Sequence, residues 1–223
     1  MRAAIRKPGS LAFSADRISR SARVEDWLNA LDGVAYLVAP DGTIVGVGRE
    51  DWIEFAHRVG FDHPAPDEVV GRNLFDMIAS PEVRGAFAAV HQRVATLAKR
   101  ALSYDYRCDA PDLERFMKMS VSALTAQGRL LGVLYQSTLL SARDRVPLEF
   151  LSDAGAALEE ARVSDLPFVT ICQFCADVTM KAWDGEWVTP TDYYRHGGPA
   201  EVRLSHGICP TCERTRLAPL LGD

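Results

Sequence analysis

Four of the five cysteines in this chain fall in two CxxC pairs, Cys172-Gln173-Phe174-Cys175 and Cys209-Pro210-Thr211-Cys212. A CxxC turn aims two thiolates at one point, and two such turns complete a tetrahedron of soft ligands suited to Zn2+. The 33 residues between the pairs exceed the roughly 15–20 of common zinc ribbons. Structural zinc on Cys172, Cys175, Cys209 and Cys212 is the favoured chemistry. A redox dithiol comes second and an iron–sulfur cluster third. His206 stands three residues before Cys209. It could replace a cysteine as ligand, but with four thiols in place a supporting role beside them is favoured. The fifth cysteine, Cys108, reads as a small buried hydrophobe.

The elements that must position these groups are legible in outline. A first helix spans about Val24 to Leu31, then comes a short apolar strand, Gly33 to Ala39. Asp41-Gly42 is a hairpin turn and Thr43 to Val47 the returning strand. A helical stretch from Trp52 to Val59 stops at Gly60. Ser80 caps a long helix that opens with Pro81 and carries Val83, Phe87, Val90, Val94 and Leu97 on one face. Three period-2 strands follow, Leu102 to Cys108, Phe116 to Leu124 and Leu130 to Leu140. The charges Arg107, Asp109, Glu114 and Arg115 around Pro111 read as a solvated rim. Leu148, Leu151 and Leu158 predict a short connector helix. Trp183, Trp187, Tyr193 and Tyr194 lie between the cysteine pairs, in a module small enough that a metal would supply stability its core cannot.

Composition bounds the function classes. The chain is 48% hydrophobic and 25% charged, with a net charge of −5, so it is globular and poorly suited to nucleic acid. The charge is uneven, +5 over residues 1–23, −7 over 24–164 and −3 over 165–223. The basic arm could touch an acidic partner, but a solvated tail is the simpler reading. No segment reads as a membrane span, and Arg6, Lys7 and Pro8 interrupt any secretory apolar region, so a cytoplasmic protein with no membrane association is expected. No phosphate-binding glycine loop, GxSxG elbow or HExxH helix is present, and a non-enzymatic role is expected.

Two stretches carry a resemblance. Asp41-Gly42-Thr43-Ile44 and Val70-Gly71-Arg72-Asn73-Leu74-Phe75, with the three closing strands, make Leu31 to Ala142 resemble a PAS sensory domain. The segment departs from that family at Gly48-Arg49-Glu50, where many members carry an Asn. Separately, Ser205-His206-Gly207-Ile208-Cys209-Pro210-Thr211-Cys212 is similar to a cysteine box found after PAS, GAF or receiver domains in bacterial two-component and related signalling proteins. Ile171 to Cys175, Trp187 and Tyr193-Tyr194 fit its upstream half.

The resemblance implies an α+β fold, a PAS-like antiparallel five-stranded sheet with flanking helices, followed by a zinc-ribbon-like module. The expected division is a basic arm at 1–23, a sensor domain at 24–142, a connector at 143–166 and the cysteine module at 167–223. It also implies a cavity between sheet and long helix, lined by His91, Tyr104, Tyr106, Cys108, Met119 and Tyr135. That cavity could hold haem, with His91 as axial ligand, or another small ligand; for His91 a capped boundary histidine is favoured. No Asn-Cys-Arg-Phe-Leu-Gln motif is present, which argues against a blue-light flavin sensor. The expected function is a bacterial sensor or adaptor in signal transduction, a homodimer acting through a signalling protein partner. The alternative is a thiol-based redox switch in which the CxxC pairs oxidise and release metal. A third, weaker reading is a regulator whose basic arm touches nucleic acid.

Overall fold

The computed structural model describes residues 22–59, 64–97, 101–152 and 166–222 of the chain. Five strands, β1 (Val34–Val38), β2 (Ile44–Val47), β3 (Leu102–Arg107), β4 (Leu113–Ala126) and β5 (Arg129–Asp144), form one antiparallel sheet in the order β2-β1-β5-β4-β3. Helices Arg49–Val59, Pro66–Val69 and Pro81–Leu97 lie between β2 and β3, and a helix Val24–Asn29 precedes β1. This is the PAS-like α+β fold that the two motifs implied.

Local chemistry explains most boundaries. Gly42 takes φ +92° in the β1–β2 turn, where a Cβ would strike the Phe75 ring. The second motif closes over this turn. Leu74 N–H donates to Gly42 O, Gly71 N–H to Ile44 O, and the Asn73 side-chain amide to Asp41 O. The two stretches that carried the resemblance are thus one structural unit. Ser80 Oγ accepts from Val83 N–H at 3.3 Å and caps the long helix. β4 and β5 meet in a two-residue hairpin in which Gln127 and Gly128 both adopt positive φ, and at the far end they stay paired out to Leu113 and Asp144, beyond their expected limits.

The main core lies between the sheet and the long helix. Tyr36, Val38, Ile44, Val47, Met119, Val121, Val133 and Tyr135 meet Val90 and Val94 there. A second sheet, β6 (Phe168–Cys172), β7 (Val178–Met180) and β8 (Arg203–Gly207), has the order β7-β6-β8, with β6 and β8 parallel. Its core holds Val169, Val178, Met180, Tyr193 and Val202. Tyr193 is fully buried, stacks on Phe150 and donates to Pro199 O, and Gly198 lies so close to its ring that no Cβ fits.

Two expectations are corrected. Leu148 and Leu151 do not start a helix on the first sheet. They flank and enter a 3-10 turn, Glu149–Leu151, and pack with Phe150 into the second core. Residues 153–165 of the expected connector, residues 1–21 of the basic arm and Gly60 lie outside the described residues. The charges near Pro111 are not a solvated rim either. Asp109 holds Arg107 through two bonds, at 2.9 and 2.7 Å, and Arg145 at 3.0 Å. The side chains of Asp109 and Arg145 are only 6% and 9% exposed, and Arg115 is buried. Arg145 also donates to Ala110 O and Pro111 O. The ion pairs therefore pin the chain leaving β5 to the β3–β4 turn and aim Leu148 to Leu151 at the second core.

Among the described residues no helix is long and apolar enough to cross a membrane. Removing the buried carboxylate leaves Arg107 and Arg145 side by side with only the more distant and more exposed Glu114 between them, at 3.6 and 4.0 Å. Asp109→Ala is expected to cost about 3–5 kcal/mol in urea unfolding; a loss under about 1 kcal/mol would show the network to be ornamental.

Candidate metal centre

Parallel pairing sets the geometry of the four cysteines. β6 and β8 are in register, with Cys172 opposite Gly207, so both strands deliver their chains to the same end of the second sheet. Cys172 closes β6 and Cys175 completes the turn, where Ala176 adopts φ +68° and donates to Cys172 O at 2.9 Å. Cys209 follows β8 and caps the short helix Pro210–Cys212, accepting on its sulfur from Cys212 N–H at 3.4 Å. The four Sγ atoms all lie within 4.8 Å of one another. Cys175 and Cys209 sulfurs stand 3.8 Å apart. A tetrahedral ion with metal–sulfur bonds of about 2.3 Å has sulfur–sulfur edges of about 3.8 Å. The four residues are close enough to bind one metal ion, and the donor set is soft and anionic.

The electrostatics point the same way. A hydrogen bond from the Cys175 thiol, with the backbone N–H of Cys209 at 3.3 Å, favours thiolate at Cys172 and brings its pKa down to about 4. That same bond pushes Cys175 up. Burial and the Cys172 charge push Cys212 up to about 12. One thiolate is thus shared among thiols that resist ionising beside it, and a cation would relieve that resistance. His206 is not among the ligands. It sits exposed on β8 opposite Ile171, one residue before Gly207.

The centre is built into the first sheet rather than hung beside it. Gln173 O accepts from Arg107 N–H at 3.0 Å, which ties the first knuckle to the free edge of β3. Phe174 packs on Tyr104, with ring centroids 5.6 Å apart. Cys172, Cys209 and Cys212 share one apolar cluster with Val83, and Ala86 and Phe87 of the long helix border it. The chain after Cys212 turns back, and Leu221 O accepts from Arg93 of the same helix.

The expected cavity residues are divided by this arrangement. His91, Met119 and Tyr135 sit in the main core, and Tyr104 lies at its border against Phe174. Tyr135 stacks on Tyr36 at 5.0 Å and lies nearly parallel to the His91 ring. His91 Nδ1 is 3.0 Å from Tyr135 Oη, and its buried Nε2 makes no hydrogen bond among the described residues. Tyr106 shares a 2.5 Å hydrogen bond with Ser137. Cys108 lies just past β3 and faces the second sheet instead of the core. Gln173, Phe174, Phe150 and Arg145 had no individual signal in the sequence, because their roles come from a main-chain carbonyl, a docking ring, a stacked ring and a long-range ion pair.

Comparisons with known proteins add resemblance of fold only. No family model matches the chain, and no curated protein matches it. It is similar to the PAS domain of BvgS from Bordetella pertussis, at 12% identity over 56% of this chain and 88% of that one, with a TM-score of 0.42. It is similar also to a domain of an HTR-like protein from Haloarcula marismortui, at 16% identity over 48% of this chain and 97% of that one, TM-score 0.35. A C-terminal domain from Streptococcus mutans gives 18% identity over 52% and 82%, TM-score 0.41.

Burial holds the His91 imidazole below its ordinary pKa of 6.5. The unfolded chain therefore takes the proton first as pH falls, and this part of the stability is complete above about 6.5 and is lost towards the lowered value. Melting temperatures from roughly pH 7.5 to 5 should fall more steeply for the native protein than for His91→Gln. Equal slopes would mean that His91 is freely protonated in the fold.

Proposed function

We propose that this chain is a non-enzymatic sensor or adaptor in signal transduction, acting in the cytoplasm as a homodimer through contacts with a signalling protein. Its four-cysteine centre, Cys172, Cys175, Cys209 and Cys212, holds structural Zn2+. The observation that carries this reading is the bond between Gln173 O and Arg107 N–H. Through it, whatever orders the knuckle also orders the edge strand of the PAS-like sheet. A structural metal then has a reason to be in a sensor: it fixes the surface that the sheet presents. When bound, zinc supplies four strong bonds that lock two loops, and the chain's own residues do the rest. Backbone N–H groups of Cys209 and Cys212 point at sulfur, and Phe174 shields the knuckle against Tyr104.

A redox switch is the second reading, favoured by the short Cys175–Cys209 separation and by the thiolate character of Cys172. Burial weighs against it, since Cys172, Cys209 and Cys212 are all buried and Cys175 alone is half-exposed. An oxidant must open the cluster before it can act. Haem on His91 fits poorly with a ring already hydrogen-bonded to Tyr135 and packed edge-on against Phe75.

Elemental analysis of the purified chain should find one zinc per chain, and Cys209→Ser should lose it together with a drop in melting temperature of about 10 °C or more. Thiol titration before and after mild peroxide separates the two readings. Thiols that stay at their starting number support structural zinc, and rapid loss of four thiols with release of metal supports the switch.

A further inference from the structure

Behind the Arg107–Gln173 contact lies a cleft of about 270 Å³, bounded by the end of β3 on one side and by β6 and β8 on the other. Tyr106 and Cys108 form one wall, Ile171 and Leu204 the opposite one, with Gln173 and His206 as polar groups along it. We infer that this cleft is a binding site for a small neutral aromatic molecule, lying outside the main core and against the metal knuckle. The inference rests on the sensor reading above and names the ligand class and the place where it acts.

Volume, polarity and charge carry it. The space is close to the lower end of ligand pockets, and an apolar cavity of about 150 Å³ holds benzene, so roughly twice that suits two fused rings. Most of the exposed wall is apolar, and Leu151 and Pro190 also line it. The charged groups at the cleft are Arg107, Asp109 and the Cys172 thiolate; Arg107 and Asp109 satisfy each other, with Arg145 and Glu114 completing the network, and Cys172 belongs to the four-sulfur cluster that a metal ion would neutralise. A ligand therefore meets no uncompensated charge and gains nothing by carrying one. His206 and Gln173 leave a place for one hydrogen-bonding group.

The other large hollows fit a ligand less well. One, of about 440 Å³ around Pro40, Asp41, His91 and Gln92, opens widely to solvent. Another, of about 390 Å³ between Met77, Ser80, Val83 and the far side of Leu204 and His206, is also more open than the cleft, and shifts at Cys108 tell the two apart. The core between sheet and helix is occupied by the stacked Tyr36, Tyr135 and His91 rings. The cleft at β3 also has a mechanical consequence. Cys172 and Gln173 line it directly, so a ligand held there braces the first knuckle against the sheet edge.

Indole, a neutral bicycle with one N–H donor, is the probe. It is titrated into the full chain, with amide chemical shifts recorded and zinc content measured on the same sample. The expected result is binding in the millimolar range or tighter, with the largest shifts at Cys108, Gln173 and His206, and about tenfold weaker binding in His206→Trp, whose exposed side chain fills the mouth. Absence of saturable shifts, or shifts centred on His91 and Tyr135, overturns the inference, and the mapping on the native chain decides even where the variant does not fold. A zinc-loaded chain that ignores indole removes this site alone. A folded zinc-free chain that binds indole at these residues keeps the site and removes the zinc reading.

Discussion

Four sulfur atoms within 4.8 Å of one another are a self-repelling arrangement once they ionise, and the C-terminal part of this chain is organised around that cluster. A second sheet of three short strands buries little apolar surface, so it gains most by having its ends fixed. The parallel pairing of β6 with β8 makes this feasible, because both strands finish at the same level and each continues directly into a knuckle. Antiparallel strands would deliver the two pairs to opposite ends of the sheet. Of the aromatic residues between the pairs, Tyr193 and Trp183 close the other core of the same sheet with Phe150, while Trp187 packs on the cysteine cluster.

The devices that fasten this small unit to the large sheet differ in kind. Around Gln173 and Phe174 the fastening is a backbone hydrogen bond backed by an aromatic contact on Tyr104. At another point it is the Asp109 carboxylate between Arg107 and Arg145, shielded from water. Arg107 belongs to both, donating its N–H to the knuckle and its guanidinium to Asp109. An edge strand normally exposes a row of unpaired backbone groups to any passing strand. Here the end of β3 is covered by the knuckle, so the four-cysteine cluster also protects this border of the sheet.

What the sequence made legible was local. Asp41-Gly42 marked its turn because φ +92° is open to glycine, and Ser80-Pro81 marked a helix start because cap and ring act within one turn. The CxxC pairs announced a shared cluster of sulfurs because their spacing alone fixes where two sulfurs point. What was missed depends on partners far away in the chain. Leu148 and Leu151 have helical spacing, yet Arg145 bound to the β3–β4 turn sends them into another core. Asp109 looks like a loop acid until Arg145, 36 residues on, covers it. Cys108 was placed with the core tyrosines by alternation, but β3 ends at Arg107, and the next residue faces the second sheet.

The route by which such a molecule could carry a signal follows from what is packed and what is not. Tyr36, Tyr135 and His91 are stacked and hydrogen-bonded in the main core, and a dense aromatic stack resists rearrangement because any shift must displace several neighbours together. Strand β3 is less constrained. It pairs with β4 along one side only, and on the other it is held by Gln173 O, by Arg216 donating to Asp105 O at 3.5 Å, and by the fit of Phe174. Its Tyr104 and Tyr106 nevertheless reach inward, the one beside Phe174 and the other to Ser137 on β5. A displacement of the knuckle is therefore felt at the edge strand first and reaches the centre of the sheet through Tyr106 and Ser137. The interface between the two sheets thus rests on few contacts, while the core beside it is packed around stacked rings.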